Sequence, residues 1–166
     1  MNYLKGDLFV KSFVERTKCN FEQVENLDST YETYKVTQLV NSLLGLLVVP
    51  ESYGYTKCTD SIISKKLLND IQSKVTSTYL TKNGNNESKS LKNIVRHMRN
   101  AIAHSKNLKF LPDETNKNQI GYIVFKDVDV NNSSFKFNLQ LSIEQLKEFV
   151  YEFSDGIVRT LKGSVK

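Results

Sequence analysis

Apolar residues in this chain recur mainly at helical spacing. Leu8, Phe9, Phe13, Val14, Phe21 and Val24 fall on one side of a first amphipathic helix, predicted from about Leu8 to Val24. From Glu32 to Val49 a second helix is apolar nearly all round toward its end, which marks it as the most buried. Pro50 is expected to stop it, because a proline has no N–H and its ring crowds the carbonyl four residues back. Within this helix Thr37, Asn41 and Gly45 recur every fourth residue, a stripe small enough to let another helix come close. Ile62, Ile63, Leu67, Leu68, Ile71 and Val75 predict a third helix from Asp60 to about Tyr79, followed by a loop over Lys82 to Asn86. Ser88 or Ser90 is placed to cap a fourth helix ending near His104 to Lys106. Its inward stripe is Leu91, Ile94, Val95, Met98, Ala101 and Ile102.

After Pro112 and Asp113 the period changes. Tyr122 to Phe125 and Phe135 to Leu139 are β-prone runs separated by the turn-rich Asp129 to Ser134, which predicts a hairpin, read as an appendage to a helical core. Ser142 and Gln145 have capping-box spacing ahead of Leu146, Phe149, Val150, Phe153, Ile157, Val158 and Leu161, which gives a last helix. The expected fold is mostly α: a helical bundle with a small β-hairpin before the last helix, as a single domain over 1–166. No internal repeat or long low-complexity segment interrupts it.

Composition narrows the class. The 166 residues, 39% hydrophobic and 25% charged, suit one globular core. The first residues lack the apolar core and cleavage site of a signal peptide, and the run from Leu43 to Val49 is too short to cross a bilayer, so a soluble, cytoplasmic protein without a membrane partner is expected. Cys19 and Cys58 are isolated, with neither metal-ligand spacing nor a disulfide framework, and are read as structural. A net charge of +5 tilts the protein toward polyanions. That permits RNA binding, although no zinc-finger spacing, aromatic RNP block or GXXG clamp is present.

The chemistry concentrates in Arg96-His97-Met98-Arg99-Asn100-Ala101-Ile102-Ala103-His104. At about 100° per residue, Arg96, Asn100 and His104 project away from the apolar stripe. An arginine keeps its charge and can hold a phosphate through a fork of donors, whereas a histidine titrates near pH ~6.5 and can carry protons. Arg99, a polar Asn100, three small or apolar residues and then His104 resemble the signature of the HEPN superfamily, an Arg and a His separated by four to six residues on a late helix. Thr37 to Glu51 is similar to the second-helix block of a plasmid- and chromosome-borne bacterial HEPN subfamily, and Phe125-Lys126-Asp127 with Leu141 to Leu146 is similar to its tail.

This resemblance implies a metal-independent endoribonuclease that needs no cofactor. His104 would serve as general acid or base, Arg99 would stabilise charge on the phosphorus, and Asn100 would orient the phosphate or the imidazole. One histidine does not readily give and take a proton at once. The resemblance supplies the remedy, a homodimer that pairs two motif helices across one composite cleft. It further implies a toxin or antiviral-defence setting, with RNA as substrate and an antitoxin or regulatory protein as a possible partner. Arg96 and His97 either widen the RNA-binding surface or are solvated or dimer-contact positions. The alternative is a non-catalytic HEPN module that binds RNA, a nucleotide or a partner protein. His97 and His104 lie seven residues apart, roughly 10 Å along a helix, too far to share one metal ion. No HExxH pair, phosphate-binding glycine loop or nucleophile elbow is present, and Asp127 and Asp129 are read as solvated or turn residues.

Overall fold

A computed structural model describes residues 3–27, 32–52, 59–81, 83–104 and 107–162. In chain order the elements are α1 (Tyr3–Glu25), α2 (Glu32–Ser52), a 3-10 turn (Asp60–Ile62), α3 (Lys65–Lys74), β1 (Thr76–Ser77), α4 (Leu91–Ala103), β2 (Leu108–Pro112), β3 (Ile120–Val128), β4 (Lys136–Ser142) and α5 (Ile143–Lys162). The protein is mostly α, as expected. Its chain divides into two compact units, one formed by Met1–Ser64 with Glu144–Lys166 and the other by Lys65–Ile143.

The first unit is helical. Val10, Val14 and Phe21 are buried on α1, and Leu39, Leu43, Leu46 and Leu47 on α2. Gly45 provides the close approach expected of the small-residue stripe, since a Cβ there would lie 3.1 Å from the Phe13 ring. Thr37 and Asn41, by contrast, are exposed. Pro50 does not stop α2, which runs on to Ser52. A proline φ near −65° is itself helical, so the ring removes the N–H that would bond to the Leu46 carbonyl without turning the chain out of the helix. Helix α5 is pinned at several points. Tyr151 packs on Phe21 with ring centroids 5.4 Å apart, Asp155 accepts from Lys18 at 2.8 Å, and Lys147 reaches Glu25 at 2.7 Å. Gly156 lies so close to Ile62 that a Cβ would overlap the Ile62 carbonyl oxygen and sit 2.8 Å from its carbon.

The expected third helix is broken. After the 3-10 turn Ile63 is extended (φ −111°, ψ 166°), α3 covers only Lys65–Lys74, and the chain then enters β1. Ile62, Ile63, Leu67, Leu68, Ile71 and Val75 are all buried as expected, so burial was read correctly where continuity was not. Thr78 explains the change of structure, because its N–H donates to the Lys136 carbonyl at 2.8 Å and its hydroxyl accepts from the Lys136 N–H at 2.8 Å.

The second unit is built on a four-stranded antiparallel sheet in the order β1-β4-β3-β2. The expected hairpin is therefore the centre of a sheet rather than an appendage, and β2 is a strand the alternation pattern did not reveal. Ile123, Phe125, Phe137, Leu139 and Leu141 are buried along β3 and β4, which requires the hairpin to be covered. Helix α4 packs on β3 and α3 on β4. Ser90 is the N-cap of α4, its hydroxyl accepting from the Asn93 N–H at 3.4 Å, while the Asn93 amide donates to the Ser88 carbonyl at 2.9 Å.

Candidate functional site

Two periodicities meet where α4 crosses β3. On β3, residues two apart share a face, so Asp127 follows Ile123 and Phe125 inward. Cross-strand register sets Phe137 of β4 directly beside it. On α4, His97 lies on the edge of the apolar stripe and is 2% exposed. Its ring stacks on Phe137, with centroids 4.5 Å apart and planes 16° apart, and Tyr79 covers it at 4.5 Å.

Both His97 nitrogens meet carboxylates: Nδ1 lies 2.7 Å from Asp127 Oδ2, and Nε2 lies 2.8 Å from Glu87 Oε2. Two N–H donors satisfy both oxygens. With only Nδ1 protonated, Nε2 instead accepts from Arg96 Nη2 at 3.0 Å. Arg96 Nη2 also donates to Glu87 Oε1 at 2.6 Å. Glu87 is held in turn by its backbone N–H, which donates to the Tyr79 carbonyl at 2.9 Å.

Asp127 Oδ2 receives a second hydrogen bond, from Asn100 Nδ2 at 2.9 Å. Asn100 Oδ1 then faces Arg99, whose Nη2 donates to it at 3.3 Å. A continuous polar array thus runs from Arg96 and Glu87 through His97, Asp127 and Asn100 to Arg99. Burial pushes the Asp127 carboxyl upward, but the hydrogen bonds from His97 and Asn100 and the charges of His97 and Arg96 outweigh it and hold the group below the usual carboxylate range. Burial first, then Asp127 and Asp129, push the Tyr79 phenol up to about 12, so at neutral pH it keeps its proton and remains a donor.

These side chains line an open cleft of about 790 Å³, bounded by Tyr79, Arg96, His97, Asn100, His104 and Asp127 among others. His104 stands at its rim. It is the C-cap of α4, with φ −106° and ψ 81°, and its backbone N–H donates to the Asn100 carbonyl at 3.0 Å. Its side chain is exposed, one turn beyond Asn100. Arg99 is outside the cleft lining and joins it through Asn100.

The structure thus brings Arg96, His97, Asn100 and His104 to one cleft and attaches Arg99 to its edge. It corrects the expectation for His97 in one respect: the ring is not solvated, because Tyr79 and Phe137 cover it and carboxylates occupy its nitrogens. Arg96 is half-exposed and already engaged with Glu87. Asp127 and Glu87 were missed as site residues. Asp127, 7% exposed, was signalled by its i, i+2 spacing from Phe125. Nothing in the polar run Asn85-Asn86-Glu87-Ser88 sets Glu87 apart. Asp129 has the expected turn role, its Oδ1 accepting from the N–H groups of Asn131 and Asn132. Cys19 is exposed, and Cys58 lies outside the described residues. Among the described residues no three His, Cys, Asp or Glu side chains are grouped as metal ligands, and no helix is long and apolar enough to cross a membrane.

The model of a protein family described as HEPN pEK499 p136 matches residues 1–162. No curated protein and no solved structure is significantly similar to the chain.

Proposed function

Because the chain belongs to the HEPN family described as pEK499 p136, we propose that it is a metal-independent endoribonuclease whose working residues are Arg99, Asn100 and His104. The observation that carries this reading is the convergence of Asn100 and His104 on one cleft at the end of α4, with Arg99 hydrogen-bonded to Asn100.

RNA brings its own nucleophile. The ribose 2′-oxygen forms a bond to phosphorus, the bond from phosphorus to the 5′-oxygen breaks, and the products are a 2′,3′-cyclic phosphate and a 5′-hydroxyl. One group must take the 2′-proton and another must protonate the leaving oxygen. His104 is exposed and placed for either transfer, and Arg99 neutralises charge that develops on the phosphoryl oxygens. The second proton carrier is His104 of a second copy, so the working form is a homodimer with a composite cleft. Its setting is a toxin or defence effector held in check by an antitoxin or regulatory protein.

The test is cleavage of RNA in EDTA. The expected result is a cyclic-phosphate end, resistance of a substrate with 2′-deoxyribose at the cut, and loss of cleavage in a mixed dimer of wild-type and His104→Ala subunits, which carries one His104 where the reaction needs two. Cleavage at the wild-type rate by His104→Ala alone would remove the histidine from the reaction. A folded wild-type protein that binds RNA without cutting it would mark a non-catalytic module.

A further inference from the structure

We propose that Asp127 is a positioning residue, fixing the side-chain amide of Asn100 so that its oxygen faces Arg99 and its nitrogen faces inward. The inference rests on the ribonuclease reading for its consequence but not for its geometry. An ionised carboxylate only accepts hydrogen bonds, so Asn100 must present Nδ2 to Asp127 Oδ2, at 2.9 Å. That leaves Oδ1 as the acceptor for Arg99 Nη2, at 3.3 Å. The orientation of one amide therefore sets the side on which the guanidinium docks.

Asp127 is itself held. His97 Nδ1 donates to the same oxygen at 2.7 Å, and the His97 ring is clamped between Tyr79 and Phe137 and fastened on its far side to Glu87. The cross-strand pairing of Asp127 with Phe137 ties the carboxylate to the sheet and the ring stack together. Without this support Asn100 would be a short polar side chain near the end of a helix, free to rotate about its last torsion. With it, the reacting edge of the cleft inherits the rigidity of β3. In this arrangement His97, the buried histidine of the motif, serves Asn100 through Asp127 and does not touch the substrate.

The experiment compares Asp127→Ala with Asp127→Asn in the full-length protein. Asparagine retains an oxygen that accepts from both His97 and Asn100, whereas alanine has none. Misplacing a reacting group by about 1 Å can cost about 100-fold in rate. The expected result is therefore a fall in kcat of about 10- to 100-fold for Asp127→Ala with little change in KM, and recovery of most of that loss in Asp127→Asn. Equal loss in both variants would make the carboxylate a reacting group and overturn the positioning role, as would full activity in Asp127→Ala.

A second readout does not depend on cleavage. The NMR signals of the Asn100 side-chain amide should be those of a hydrogen-bonded, slowly exchanging group in the wild type and Asp127→Asn, and those of a solvated amide in Asp127→Ala. Wild-type signals in Asp127→Ala would refute the proposal. If the wild type cuts no RNA, the ribonuclease reading fails while this measurement still judges the positioning. Should Asp127→Ala not fold, Asp127→Leu fills similar space without an acceptor and takes its place in both measurements.

Discussion

The two histidines of this chain, on one helix and seven residues apart, should respond oppositely to the same substitution. His97→Ala removes a ring that is 2% exposed and in hydrogen-bonding contact with two carboxylates, whose side chains are only 9% and 14% exposed. Hydrogen bonds to charged groups contribute about 1.5–3 kcal/mol each, and removing one partner of a buried ionic pair costs roughly 3–5 kcal/mol because the other is stranded. Ring contacts with Tyr79 and Phe137 add about 0.5–1.5 kcal/mol each, while water entering the space recovers part of the total. The expected cost is about 3–5 kcal/mol, and at about 2–4 °C per kcal/mol for a chain of this size the melting point should fall by roughly 6–20 °C. His104→Ala, at an exposed cap, should remain within about 0.5 kcal/mol of the wild type. His97→Phe separates the contributions: it keeps a ring over Phe137 but turns carbon toward both carboxylates, and it should lie close to His97→Ala. Thermal melts and urea titrations followed by circular dichroism measure all three. A His97→Ala protein that melts within about 2 °C of His104→Ala would refute the reasoning, because no buried ring in hydrogen-bonding contact with two carboxylates is lost so cheaply.

Gly156→Ala should be destabilising by about 1–3 kcal/mol despite the roughly 1 kcal/mol that alanine gains in a helix, since the new Cβ meets the Ile62 backbone. Gly6→Ala in α1, with nothing within 4 Å of the new Cβ, should instead raise the melting point, and parallel melts of the two variants check the opposite signs. The Asp127 carboxyl is depressed in the folded state, so its contribution is fully present above the unfolded carboxylate value of about 3.9 and is lost as pH falls through the lower folded value. Urea midpoints measured from pH 6 down to pH 2.5 should therefore show a shallower acid loss in Asp127→Asn than in the wild type, and parallel curves would contradict the assignment.

The helices were legible because their apolar periods are long, and α4 and α5 carried capping signals as well. Each place where the reading failed has a local cause. Ile62 and Ile63 continue the helical period into α3 although Ile63 is extended, so an apolar pattern joined two elements that the backbone separates. Leu108-Lys109-Phe110-Leu111-Pro112 does not alternate, because β2 is an edge strand whose faces are both partly open. Asp127 alternates with Asp129 at strand spacing, which by itself indicates solvated or turn acids. Its partners, His97 and Asn100, lie 30 and 27 residues away on another element, and only the crossing of α4 over β3 joins them. Motif spacing singles out Asn100 and His104, while the support beneath Asn100 depends on sheet register, which single-residue patterns do not encode.

The division of the chain also sets the order in which its parts emerge during synthesis. Lys65–Ile143, which carries the cleft, is one unbroken segment, so it leaves the ribosome with all its strands and both its helices. Phe21 and Ile62 belong to the other unit and wait for Tyr151 and Gly156 of α5. At about 5–20 residues per second, the interval from Ser64 to Glu144 lasts roughly 4–16 s, during which α1 and α2 have each other but not the helix that completes their core. The nascent chain therefore contains every residue of the cleft before α5, which completes the core of the other unit, has been made.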